Sequence, residues 1–184
     1  MHVASVTQSE VRLTLEVAVD LINAHDQPDF DAKALLTEAG FSRAPSASDA
    51  SVRRLDTRLA SLAPLIRQLP ELDEPTAVAR INEELTELTI APSIADHDGV
   101  GPHIHWTAGT ARFDDQVVAD IVMALAQEVC DNGTIRFGVC SASDCEDLFY
   151  DGTRNRSRRF CADPRCASRT HTAEHRARRR AEDG

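Results

Sequence analysis

Lysine is almost missing from this chain: Lys33 is the only one among 184 residues, so nearly every cation is an arginine. Aromatic side chains are scarce too, at 4%. From Cys140 onward only Phe149, Tyr150 and Phe160 are available to stack on bases, and they read as structural, which leaves RNA binding open but weakens a single-strand stacking platform. No apolar run approaches the roughly 20 residues that span a bilayer, and Met1 to Glu10 lacks the basic start and apolar stretch of a secretory signal. A cytoplasmic protein with no membrane partner is expected. There is no glycine-rich phosphate loop and no nucleophile beside a base at an informative spacing, so no enzymatic activity is expected either.

Cysteine is present and clustered. Cys140-x4-Cys145 and Cys161-x4-Cys166 are separated by fifteen residues. Two short pairs joined by such a loop can deliver four thiolates to one tetrahedral ion. In a reducing compartment this favours a metal over disulfides. Zinc (Zn2+) fits best, one ion in a closed structural site, with iron–sulfur as the main rival. His171 and His175, one helical turn apart, are read as solvated or phosphate-facing residues, not ligands. Cys130 lies in a helical pattern and is expected to be an ordinary buried thiol.

The net charge of −10 hides a division. Residues 1–135 hold 9 Lys and Arg against 22 Asp and Glu, whereas 136–184 hold 11 against 8. Between Gly152 and Arg180 ten arginines face only Asp163 and Glu174. An acidic body carrying a basic module is the asymmetry expected when one region meets an anionic partner.

Apolar periodicity predicts a mainly α protein with small β-hairpins. A helix is expected over 8–24, opened by a Thr7-Gln8-Ser9-Glu10 capping box and facing inward through Val11, Leu15, Ala18, Val19 and Ile22. A short helix over 30–39 should end at Gly40. A long one from Val52 to Leu69 should kink or break near Ala63, because Pro64 removes a backbone donor. A fourth helix follows Pro75, with Val78, Ile81, Leu85 and Leu88 inward. Residues 91–107 suggest a hairpin in which His97, His103 and His105 alternate, forming an exposed strand face or lining a pocket with Trp106. The fifth helix starts near Asp114 and Asp115, buries Val117, Val118, Ile121, Val122, Leu125 and Val129, and closes at Gly133.

Two domains result: a helical one over 1–133 and a four-cysteine zinc-finger module over 134–184. In the second, a strand at 136–139 leads into Cys140. Leu148-Phe149-Tyr150 and Arg158-Arg159-Phe160 are expected to pair around 151–157, and a basic helix runs from Ala167. That is a treble-clef-like finger. A module of this size buries too little apolar surface to fold alone, and metal binding makes up the difference.

The pattern Cys140-x4-Cys145, Leu148-Phe149-Tyr150-Asp151, Arg158-Arg159-Phe160-Cys161 and Cys166-Ala167-Ser168-Arg169 resembles the CGNR zinc-finger family, in which an ABATE-type helical domain precedes the finger. Val19-Asp20-Leu21-Ile22-Asn23 is similar to that domain's opening helix. The family's Cys-Gly-Asn-Arg is Cys-Ala-Ser-Arg here, and Phe160 stands where tryptophan is usual. Glycine would allow a backbone turn that Ala167 tolerates less well, and Ser168 only partly replaces an amide. The resemblance implies zinc on the four cysteines and a stress-related transcription regulator that binds double-stranded DNA. Arg154, Arg156, Arg158 and Arg159 would then meet DNA from the loop, and Arg169, Arg176, Arg178, Arg179 and Arg180 from the terminal helix. The acidic body would sense a signal or form a homodimer. The alternative is a non-catalytic protein-interaction module in which the zinc is only a staple.

Overall fold

A computed structural model of the chain describes residues 6–96 and 101–182. His97 and the tip of the expected hairpin turn lie outside the described residues. The element order is α1 (Val6–Ala24), α2 (Ala32–Glu38), a 3-10 turn (Ala44–Ser46), α3 (Asp49–Gln68), α4 (Glu74–Thr86), β1 (Ser93–Ala95), β2 (His103–His105), α5 (Phe113–Asn132), β3 (Phe137–Val139), β4 (Leu148–Tyr150) and α6 (Pro164–Glu182). Mainly helical structure with two small antiparallel strand pairs is what the periodicity predicts. No described helix is long and apolar enough to cross a membrane.

Helix α5 is the centre, packed by α1, α3 and α4. Val117, Val118, Ala119, Ile121, Val122, Ala124, Leu125 and Val129 are all buried, more than one helical face can hold. A helix apolar on most sides must sit inside the structure, and its neighbours supply the matching surface. Leu15, Leu21 and Ile22 come from α1, and Leu55, Leu59, Leu62 and Ile66 from α3.

Short polar residues cap the helices. Asp31, Ser48 and Asp73 accept backbone N–H bonds at the starts of α2, α3 and α4, offsetting donors that have no partner within the helix. After α2, Gly40 takes φ +86°, and the N–H groups of Gly40 and Phe41 bond to Thr37 and Leu36. This left-handed closure is the one expected there. Asp114, buried in the first turn of α5, receives two Arg54 bonds of 3.0 Å each. Burial alone would raise its carboxyl, but the Arg54 guanidinium outweighs that and holds it below the usual carboxylate range.

Several expectations are corrected. Helix α1 already includes Val6, two residues before the expected start at Gln8, and the Thr7 side chain of the expected capping box lies outside the described residues. Of the kink or break expected near Ala63, the break does not occur: α3 continues through Pro64. Pro64 and Ala60, whose carbonyl loses its donor, both lie on the exposed side of the helix, where solvent can meet that carbonyl, while Leu62, Leu65 and Ile66 stay buried. In α4 the inward residues are Ala77 and Ile81 with Leu85 half-buried, and Val78 is 40% exposed. Cys130 is exposed on α5, because the inward face is already complete without it. On β2 the histidines do not form an exposed face: Ile104 points outward, and His103 and His105 are half-buried.

The largest correction concerns β4. It pairs with β3, in the register Phe137 to Tyr150 and Val139 to Leu148, and not with Arg158–Phe160. The latter segment adds one backbone bond, from Ser141 N–H to the Arg159 carbonyl at 2.8 Å. Phe149 lies over Gly138, where a Cβ would overlap the ring. Phe137, Leu148 and Tyr150 belong to the same core as α1 and α5. Asn23 of α1 binds β4 like an adjoining strand: its Nδ2 donates to the Leu148 carbonyl and its Oδ1 accepts the Leu148 N–H, both at 2.9 Å. The Tyr150 hydroxyl donates to buried Glu128 of α5 at 2.8 Å, and Arg136 lies 3.5 Å from the other Glu128 oxygen.

Candidate metal centre

The β3–β4 hairpin carries the first ligand pair in its connection. Bonds from Cys140 N–H to the Asp147 carbonyl (2.8 Å) and from Cys145 N–H to the Ala142 carbonyl (3.2 Å) fold residues 140–147 into a tight knuckle. Cys161 precedes α6 and Cys166 lies in its first turn, where its N–H bonds to the Asp163 carbonyl. The expected helix therefore begins at Pro164, three residues before Ala167, and carries one cysteine, not two. Together with Ala142 and Phe160 the cysteines form a second small core beside the main one.

The four Sγ atoms lie within 4.8 Å of one another, with Cys145–Cys161 at 3.8 Å and Cys161–Cys166 at 3.7 Å. These separations are far too long for disulfides. A tetrahedral zinc with Zn–S bonds of about 2.3 Å requires sulfur–sulfur edges of about 3.8 Å. The thiols thus fit one zinc ion with no position left for water or substrate, as in a structural site. Burial pushes the Cys145 thiol up to about 12 and raises Cys161 as well. Burial also opposes ionisation of Cys140, but backbone N–H groups at Cys161 and Ala142 outweigh it and lower that thiol. A divalent cation in the cluster supplies the charge that lets all four ionise.

Arginines surround this centre in different ways. Arg169 reaches both the Cys166 sulfur (3.5 Å) and Asp144 of the knuckle (3.2 Å). Arg158 is half-buried and donates to the carbonyls of Phe160 and Tyr150, with its guanidinium 5.8 Å from the Phe149 ring centre. Arg159 lies 5.3 Å from the Phe160 ring and 3.6 Å from Glu174. Arg154 and Arg156 are exposed on the loop after β4, and Arg176, Arg178, Arg179 and Arg180 are exposed along α6. His171 and His175 are exposed on α6, apart from the sulfur cluster, with His171 edge-on to Phe160 at 5.6 Å.

Asp151 is a residue whose role the sequence pattern does not reveal. It is buried, and its carboxylate accepts the N–H groups of Thr153 and Arg158 and the Thr153 hydroxyl. Burial works against its charge, but these bonds outweigh burial and hold its carboxyl below the usual range. It therefore shapes the loop on which Arg156 takes a positive φ of 48°. Its place directly after an alternating apolar strand is the available signal. The Ala167 substitution is accommodated, since Ala167 has helical backbone and needs no left-handed turn. Phe160 fills the half-buried place beside the sulfurs.

A two-stranded hairpin with a cysteine knuckle, followed by a helix bearing the last ligand, defines a zinc finger of treble-clef-like form joined to a helical body. Residues 136–179 match the CGNR zinc finger family model, and this module belongs to that family. No curated protein matches the chain.

Proposed function

We propose that the protein is a transcription regulator that binds double-stranded DNA through its zinc finger, while the acidic helical body senses a signal or dimerises. The observation that carries this reading is α6. From His175 to Ala181 every residue is exposed, and Arg176, Arg178, Arg179 and Arg180 fall within that stretch. A helix polar on all sides gains nothing from the protein core, whereas an anionic duplex would neutralise its charge. Arg169, Arg176 and Arg180 share one face, and Arg154 and Arg156 extend the basic surface from the neighbouring loop. Arg158 supports the loop from within and is a weaker candidate for phosphate contact.

The test is a fluorescence anisotropy titration of zinc-loaded protein with mixed-sequence duplex DNA at several salt concentrations. Six phosphate contacts give a log–log slope near ~−5. Replacing Arg178, Arg179 and Arg180 together by alanine should flatten that slope by about 2–3 and weaken binding at least tenfold. One zinc per chain with no affinity for DNA would instead favour an interaction module whose basic helix meets an acidic protein surface, including the body of a second copy.

A further inference from the structure

We propose that the helical body binds a small organic cation, an amine with a short hydrocarbon portion, in a cavity of about 240 Å³ between α1, β2 and α5, bounded by the end of α2. This names the signal class for the sensing role proposed above, but the binding itself does not depend on DNA recognition.

Helix α5 forms one wall through Gln116, Asp120, Ala124 and Gln127, which share a face by their spacing. Opposite stand Glu10 and Val11 of α1. Phe41 and Trp106 add aromatic surface, and β2 contributes His103 and His105. Apolar walls with a few convergent polar groups characterise ligand cavities, and this volume suits a small molecule better than a drug-sized one.

The charge of the lining selects the ligand. Among the described residues its titratable groups are Glu10, Asp120, His103 and His105, and His103 Nδ1 lies 3.9 Å from a Glu10 oxygen. His103 Nδ1 lies 2.9 Å from the Gly101 carbonyl, which requires a proton on that nitrogen. His103 Nε2 lies 3.1 Å from His105 Nε2, so one ring donates and the other accepts. Within the described lining, this hydrogen-bonded histidine pair faces two carboxylates, Glu10 and Asp120. Burial, reinforced by Glu10 and opposed by His103, pushes the Asp120 carboxyl up to about 7. An ammonium group would supply a donor and a countercharge to both acids, and the aromatic lining suits a cation as well. An anion meets the wrong charge. A metal ion is disfavoured because, among the described residues, only the four cysteines converge closely enough to share one.

Calorimetric titration of the full zinc-loaded chain at pH 8 tests this with 2-phenylethylammonium, neutral 2-phenylethanol, anionic 3-phenylpropanoate, and zinc beyond one equivalent. The ammonium compound is expected to bind once per chain, at least tenfold tighter than either isostere. Asp120→Asn should weaken it tenfold or more, and Glu10→Gln should weaken it by a smaller factor. Circular dichroism establishes that each variant is folded, and if Asp120→Asn is not, Glu10→Gln decides. No binding of the ammonium compound, equal binding of 2-phenylethanol, indifference to the deciding substitution, or a second zinc bound by His103 and His105 would overturn the proposal. Loss of DNA binding in the separate titration would overturn the DNA reading alone.

Discussion

Single side chains decide how charge is tolerated in this protein. Arg54 and Asp114 form a two-point ion pair in which the acid is 3% exposed and the arginine 41%. Arg54→Leu leaves a buried carboxylate without its partner, and a loss of about 2–4 kcal/mol is expected in urea denaturation. Asp114 is held below its ordinary value when folded, so this contribution is complete at neutral pH and disappears as pH falls through the folded value. Asp120 has the opposite sign. Its carboxyl titrates near 7 when folded against an ordinary value of 3.8, so the folded protein binds more protons between those limits and loses stability as pH rises. Asp120→Asn should therefore stabilise the protein at pH 8 by on the order of 2 kcal/mol and have little effect below pH 4, as read by denaturation at the two pH values.

At the scale of elements, the parts most legible in the sequence were those where one physical pattern dominates. The apolar repeats of α1, α3 and α5 appear because a core-facing stripe must recur every turn, and the cysteine spacing announces a tetrahedral site. Less legible were the features settled by neighbours. Pro64 signals a break, yet it and Ala60 lie on the exposed side of α3, and the buried leucines around them keep the helix continuous. Cys130 is as apolar as its neighbours but falls on the wrong side of α5. The pairing of β3 with β4 required knowing that the first cysteine knuckle is itself the turn of the hairpin. Asn23 illustrates the same limit, since nothing local marks it as the residue that completes β4. Asn23→Ala removes both bonds and leaves Leu148 backbone groups unmet. A loss of about 2 kcal/mol is expected, measurable by urea denaturation.

Across the whole molecule, the two parts expected from composition share a core. Phe137, Leu148 and Tyr150 are buried with α1 and α5, so the hairpin needs the body as much as it needs metal. Metal dependence should consequently be confined to the outer finger. In Cys166→Ser the zinc content should fall well below one per chain, and much of the circular dichroism of α6 should disappear. Trp106 fluorescence should still report a cooperative transition of the body. A fully unfolded chain after zinc removal would contradict the shared core, and an unchanged α6 would contradict a metal-dependent finger. The same core predicts that cutting the chain after Gly133 destabilises the body, because Glu128 then loses its Tyr150 donor inside the protein.

Glu10 and Asn23 stand thirteen residues apart on one unbroken helix, about 20 Å along its axis. One end helps wall the cavity and the other grips the strand from which the sulfur knuckle hangs. A rigid rod of that length is a lever: a tilt of a few degrees at one end becomes a displacement of an ångström or more at the other, delivered to the finger's hairpin without any flexible joint to dissipate it.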